Sequence, residues 1–119
     1  MFKERKLTKG TLSIRKKNGN YSQLWYVNSD GYPKKLGKEI LENLKTPEDI
    51  KQAYNIFTNA KCDSHLETDL VLGDTESIEP ILRQYNDYSY VLDEETGKWG
   101  FYKYNINELH DLEDEIKKN

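Results

Sequence analysis

Leu12 and Ile14 alternate with Ser13 and Arg15, the period of a strand with one buried face. Asn18-Gly19-Asn20 follows, and Asn and Gly both tolerate the positive φ that a tight turn demands. Tyr21, Leu24, Trp25, Tyr26 and Val27 then crowd an aromatic and apolar run ending near Asn28, so the stretch 11–28 predicts a β-hairpin. Ser29-Asp30-Gly31-Tyr32-Pro33 cannot continue a regular strand. Leu36, Ile40, Leu41 and Leu44 recur at helical spacing and predict a helix over about 35–45. Thr46-Pro47-Glu48-Asp49 reads as a second helix start: a capping hydroxyl, a proline suited to the first turn, and acids at the positive end of the helix dipole. Ile50, Ala53, Tyr54 and Phe57 form its apolar stripe, which ends near Ala60.

Residues 61–75 fit either a short strand or an irregular packed loop around Leu66, Leu70, Val71 and Leu72. Asp74, Thr75 or Ser77 can cap a short helix through Ile78, Ile81 and Leu82, with Pro80 tolerated only in its first turn. Tyr88, Tyr90 and Leu92 alternate with Ser89, Val91 and Asp93; Glu94-Glu95-Thr96-Gly97 makes a turn; Trp99 and Phe101 alternate against Tyr102 and Tyr104. A second hairpin over 88–104 is expected. Asn105 or Asn107 opens a last helix with Leu109, Leu112 and Ile116 as its stripe. The expected fold is α+β: one domain over 1–119, with an antiparallel sheet built from two hairpins and three or four helices packed on it. Residues 1–9 read as a flexible basic tail.

The 29–37 segment is the most specific feature of the chain. Asp30 can hold a turn, Gly31 permits an unusual φ, and Pro33 forces Tyr32 into an extended conformation. Gly37 lets a helix start lie close to the sheet. Backbone N–H groups there, beside Lys34, Lys35 and Lys38, suit an anion. The competing reading makes Asp30, Tyr32 and Pro33 a lock for the fold, with Tyr32 as a packed plug. Tyr26, Asp30, Gly31, Tyr32, Pro33, Leu36, Gly37 and Leu41 resemble a group of small phage and prophage proteins. These carry an aromatic strand, Asp-(Gly/Ser)-Tyr-Pro, and a Leu-Gly or Val-Gly step opening a helix. The resemblance covers residues 24–41 and, more loosely, the tyrosine-rich pair of strands at 88–104. It implies a phage or mobile-element context. Where that group often has an aromatic or histidine residue before the Asp, this chain has Asn28 and Ser29, so the resemblance supplies no catalytic histidine.

Composition narrows the classes. Of 119 residues, 35% are hydrophobic and 33% charged, and no run approaches the roughly 18 apolar residues of a membrane span. The start of the chain is basic and lacks the apolar middle of a signal peptide. One cysteine, Cys62, excludes an internal disulfide framework and a cysteine-cluster zinc site. A cytoplasmic setting in the host cell is the expectation. Residues 1–61 carry 13 Lys/Arg against 6 Asp/Glu, and residues 62–119 carry 5 against 15, a split of +7 and −10 within the net −3. A basic half including Lys3, Arg5, Lys6, Lys9, Arg15, Lys16 and Lys17 suits phosphate or an acidic surface, and the acidic half suits a basic partner.

Catalytic constellations are not evident. His65 and His110 are far apart in sequence, Cys62-Asp63-Ser64-His65 has no recurrent nucleophile or metal spacing, and Glu94 and Glu95 are adjacent on a turn. Neither a catalytic nor a metal site is assigned, and no cofactor is implied. With so many tyrosines on the expected strands, some must face outward. Tyr26, Tyr88, Tyr90 and Tyr102, with Glu94 and Glu95, are therefore the candidate partner-binding residues. Asp30, Gly31, Tyr32, Lys34, Lys35 and Gly37 are the candidate ligand- or anion-binding residues. The expected function is a small non-enzymatic binding protein of phage or mobile-element type. It would block or sequester a host component, in counter-defence, by meeting a host protein or its basic surface. The alternative is a nucleotide- or anion-binding, or nucleotide-processing, domain that takes a small phosphorylated ligand at the 30–37 corner.

Overall fold

The structure, a computed structural model, describes residues 8–118, so most of the expected basic tail lies outside the described residues. The first strands are β1 (Gly10–Arg15) and β2 (Tyr21–Val27), followed by a π-helical turn (Pro33–Gly37) and the helices α1 (Lys38–Asn43), α2 (Pro47–Lys51) and α3 (Ala53–Asn59). Two-residue strands β3 (Leu66–Glu67) and β4 (Asp74–Thr75) precede α4 (Glu79–Leu82). The chain finishes with β5 (Tyr88–Asp93), β6 (Trp99–Lys103), β7 (His110–Asp111) and α5 (Leu112–Lys117).

The α+β class holds, but the sheet is not the purely antiparallel one expected from two hairpins. Among the described residues it has seven strands, in the order β3-β2-β1-β5-β6-β7, with β4 also on β2. β1–β2 and β5–β6 pair antiparallel, whereas β1 and β5, at the centre, are parallel. A parallel pair needs a long crossover, and residues 28–87 with their four helices supply it. Among the described residues five α-helices, rather than three or four, and the π-helical turn accompany the sheet.

Both faces are covered, unequally. Leu12, Ile14, Tyr90, Leu92, Trp99 and Phe101 point to one side, where they meet Ile40, Leu44, Ile50, Ala53, Phe57 and Leu112 from α1, α2, α3, α5 and the end of α1. On the other side Val91 and Tyr102 meet Ile78, Ile81 and Leu82 of the α4 segment, with Tyr21 at the margin. Leu24 has no partner on β1 because the register shifts between Leu12 and Ser13. This bulge keeps Trp25 on the thick side and Gln23 on the thin one.

Several elements follow from their residues. Gly19 (φ 92°) and Gly97 (φ 73°) take the left-handed conformation in their turns. The Thr46 hydroxyl accepts the Asp49 N–H while the Asp49 carboxylate accepts the Thr46 N–H, a capping box. The helix expected to run on to Ala60 is interrupted at Gln52, and its stripe is narrower than expected. Ile50, Ala53 and Phe57 are buried, but Tyr54 is exposed and stacks on Trp25. The helix expected to open at Asn105 or Asn107 starts only at Leu112, capped by Asp111. Asn105 is left-handed (φ 56°), and the edge of β6 captures His110 and Asp111 as a strand. Leu109 therefore leaves the helical stripe and is 59% exposed.

Candidate functional site

The corner between β2 and α1 is built as a lock. The left-handed residue is Asp30 (φ 58°) and not Gly31, a correction to the expected division of labour; aspartate tolerates this region better than most residues. Gly31 is needed for close approach instead. A Cβ there would lie 2.8 Å from the Gly10 nitrogen and 2.9 Å from the Lys9 carbonyl carbon, both backbone. The Gly31 N–H donates to the Thr8 carbonyl at 2.9 Å, and the buried Tyr90 hydroxyl donates to the Gly31 carbonyl at 2.6 Å. The plug of the corner is thus Tyr90, while Tyr32 is only half-buried. The Tyr32 carbonyl accepts from the N–H groups of Lys35, Leu36 and Gly37, which winds the π-helical turn. Gly37 sits between Tyr90 and Leu112, whose Cδ1 would be 2.8 Å from an added Cβ.

Two of the three lysines of the corner, Lys34 and Lys35, are engaged by the chain itself. Lys35 Nζ is paired with Asp63, and that hydrogen bond, with Glu39 and Asp30 nearby, raises its pKa. Lys34 Nζ donates to the Lys118 carbonyl at 3.1 Å.

Three of the four tyrosines expected to meet a partner are buried. Tyr90 belongs to the thick-side core, Tyr102 lies under the α4 segment, and Tyr26 donates from a part-buried hydroxyl to Asn28. The expectation of outward tyrosines assumed a sheet covered on one face; the thick layer takes in Tyr90, and a second, thin layer buries Tyr102. Tyr88 is half-buried, against Tyr90 and Phe101. Tyr102 packs with Tyr21 at its margin, Tyr21 lies across from Arg15, and Arg15 pairs with Asp93 at 3.5 Å. This chain of groups crosses the thin side of the sheet, and burial pushes the Tyr102 phenol up to about 12. Glu94 is half-buried and accepts the Lys17 N–H, whereas Glu95 stays exposed on the turn.

The tyrosines that do face outward are Tyr54, Tyr85 and Tyr104. Tyr85 and Tyr104 meet edge to face, their centroids 5.4 Å apart, and the Lys9 ammonium lies 5.2 Å over the Tyr85 ring. They belong to a larger rim. Among the described residues seven large apolar side chains are exposed, and six of them (Leu70, Leu72, Tyr85, Tyr104, Ile106 and Leu109) come from the segments framing α4. Hydrogen bonds hold these segments together: Gln84 to the Leu70 carbonyl, Asn107 to Glu79, and the Tyr104 N–H to the Asp87 carbonyl. No periodicity announces this rim, because its members lie in loops.

The Cys62–His65 segment lines a cavity of about 250 Å³ with Tyr54, Phe57 and Thr58. Burial, together with Glu39, Glu42 and Asp63, raises the Cys62 pKa, the opposite of what a nucleophilic thiolate requires. His65 is exposed, Ser64 donates to Glu39, and Cys62 accepts from Asn43 at 3.6 Å. His110 is remote from them and stacks on Phe101. Among the described residues no group of three or more His, Cys, Asp or Glu is placed to hold a metal ion, and no helix is long and apolar enough to cross a membrane.

No known protein family, curated protein or solved structure matches this chain.

Proposed function

We propose that this chain is a small non-enzymatic binding protein of phage or mobile-element type that blocks or sequesters a host defence component. Contact is made through the apolar rim around α4. One observation carries the reading: six of the seven exposed large apolar side chains gather on the segments framing one short helix. Exposed aromatic and aliphatic groups concentrated in one place are what a protein partner buries, and tyrosines are favoured anchors. The same segments carry Asp69, Glu76, Glu79, Asp87 and Glu108 against Lys9, Arg83 and Lys103, which favours a basic partner surface. The phage context rests on the resemblance of residues 24–41. The nucleotide- or anion-binding alternative has less behind it, because Lys34 and Lys35 already have partners within the chain.

Affinity capture from host lysate tests the proposal. The wild-type chain should retain one dominant protein, and retention should fall as salt rises. Tyr85→Ser/Tyr104→Ser should lose that protein while unfolding at the wild-type temperature. Equal retention by a folded double variant would place the contact elsewhere.

A further inference from the structure

Among the described residues, three buried polar atoms on the thin side of the sheet have no hydrogen-bond partner: Thr11 Oγ1, Ser13 Oγ and Gln23 Nε2. Their residues are at most 1% exposed. Thr11 and Ser13 are alternate residues of β1 and so share a face, and Gln23 is the cross-strand partner of Ser13. The three groups thus form one contiguous polar strip beneath the cover, not three scattered defects. The Gln23 amide cannot relieve itself by flipping. Its Oε1 accepts the Leu72 N–H at 2.9 Å, which fixes Nε2, with two N–H donors, on the other side. A buried polar group without a partner is costly and rare, and folded proteins commonly satisfy such groups with internal water.

We propose that the Thr11–Ser13–Gln23 strip is an internal hydration site, holding ordered water that accepts from Gln23 Nε2 and bridges to the Ser13 and Thr11 hydroxyls. Water fits the chemistry better than any larger ligand. It accepts from an amide donor and can donate to or accept from a hydroxyl, and it is small enough to lie under a cover that leaves these residues buried. The neighbouring position on this face is also small and polar, since Ser89 faces Thr11 across the strand pair. The bulge at Leu24 falls beside the strip and locally separates β1 from β2 pairing.

Two measurements test this. In the wild-type protein, water–protein cross-relaxation by NMR should show long-lived water at the Gln23 side-chain amide protons and at the Ser13 or Thr11 hydroxyl or β protons. Absence of such signals, with the Gln23 amide resonances assigned, overturns the proposal. The second measurement is Thr11→Val, which keeps the shape and removes the hydroxyl. If that hydroxyl is bonded to water, the midpoint of thermal unfolding should fall by roughly 4 °C or more. In a dry strip the same change removes an unsatisfied group, so an unchanged or raised midpoint also overturns the proposal. If Thr11→Val fails to fold, the cross-relaxation result on the wild-type chain decides alone.

Discussion

Tyr90 links sequence to architecture through one oxygen. Its ring lies in the thick-side core, and its hydroxyl reaches the carbonyl of Gly31, 59 positions earlier. Tyr90→Phe keeps the ring and leaves that carbonyl without its donor, at a cost of about 1–2 kcal/mol, measurable by urea unfolding. Gly31→Ala should cost more, about 2 kcal/mol or above, because the atoms an added Cβ meets are backbone and cannot rotate away. Tyr102 gives a pH signature. Its phenol is raised in the folded state to about 12 from an ordinary value of 10.0. Its contribution to stability is therefore complete below about pH 10 and is lost as pH rises toward 12. Absorbance titration at 295 nm should show the last tyrosine ionising together with unfolding, and Tyr102→Phe should remove that coupling. The aspartate and glycine of the corner were legible as special residues, yet their parts were exchanged: the chain path around Thr8–Gly10 decides which of them needs the missing Cβ, and no local signal carries that path.

Among the elements, α2 is the one most dictated by its own residues. Thr46 and Asp49 cap each other, and Pro47 occupies the first turn. Thr46→Ala should cost about 1 kcal/mol, seen as a lowered unfolding midpoint. By contrast, α5 is dictated from outside. Leu109, Leu112 and Ile116 have helical spacing, but the free edge of β6 offers hydrogen bonds to His110 and Asp111 before a helix can form there. Gly100 makes this possible, since Leu109 lies where a larger residue's side chain would be. Tertiary pairing overrides local propensity when an unpaired edge is within reach. The 105–109 segment then belongs to the exposed rim instead of a buried stripe.

For the whole molecule, the +7 and −10 halves do not persist as two poles. β1 from the basic half lies between β2 and β5, and Arg15–Asp93, Lys16–Asp74 and Lys35–Asp63 pair the halves directly. The larger asymmetry is between the two layers. Among the described residues fifteen buried side chains make the thick-side core and five the thin-side one. Apolar burial is the main stabilising term, so α4 should open locally at lower free energy than the central strands. Hydrogen exchange should be faster for the amides of Leu82 and Arg83 than for those of β1 and β5. Equal protection across both layers would contradict this ordering.

The strands around two tight turns, the Thr46 helix start, the strand-to-helix corner and the α+β class were readable from the residues alone. Each rests on short-range chemistry: period, turn residues, caps and proline. Long-range packing set the parallel pairing of β1 and β5, the burial of Tyr90 in the thick layer and of Tyr102 in the thin one, and the exposure of Tyr85 and Tyr104. The rim around α4 and the polar strip beneath it are likewise tertiary. Alternation shows that a strand has two faces, but whether the second meets water or another layer depends on where a crossover of some sixty residues returns. That return is set by the packing of residues remote in sequence, which a local pattern does not encode.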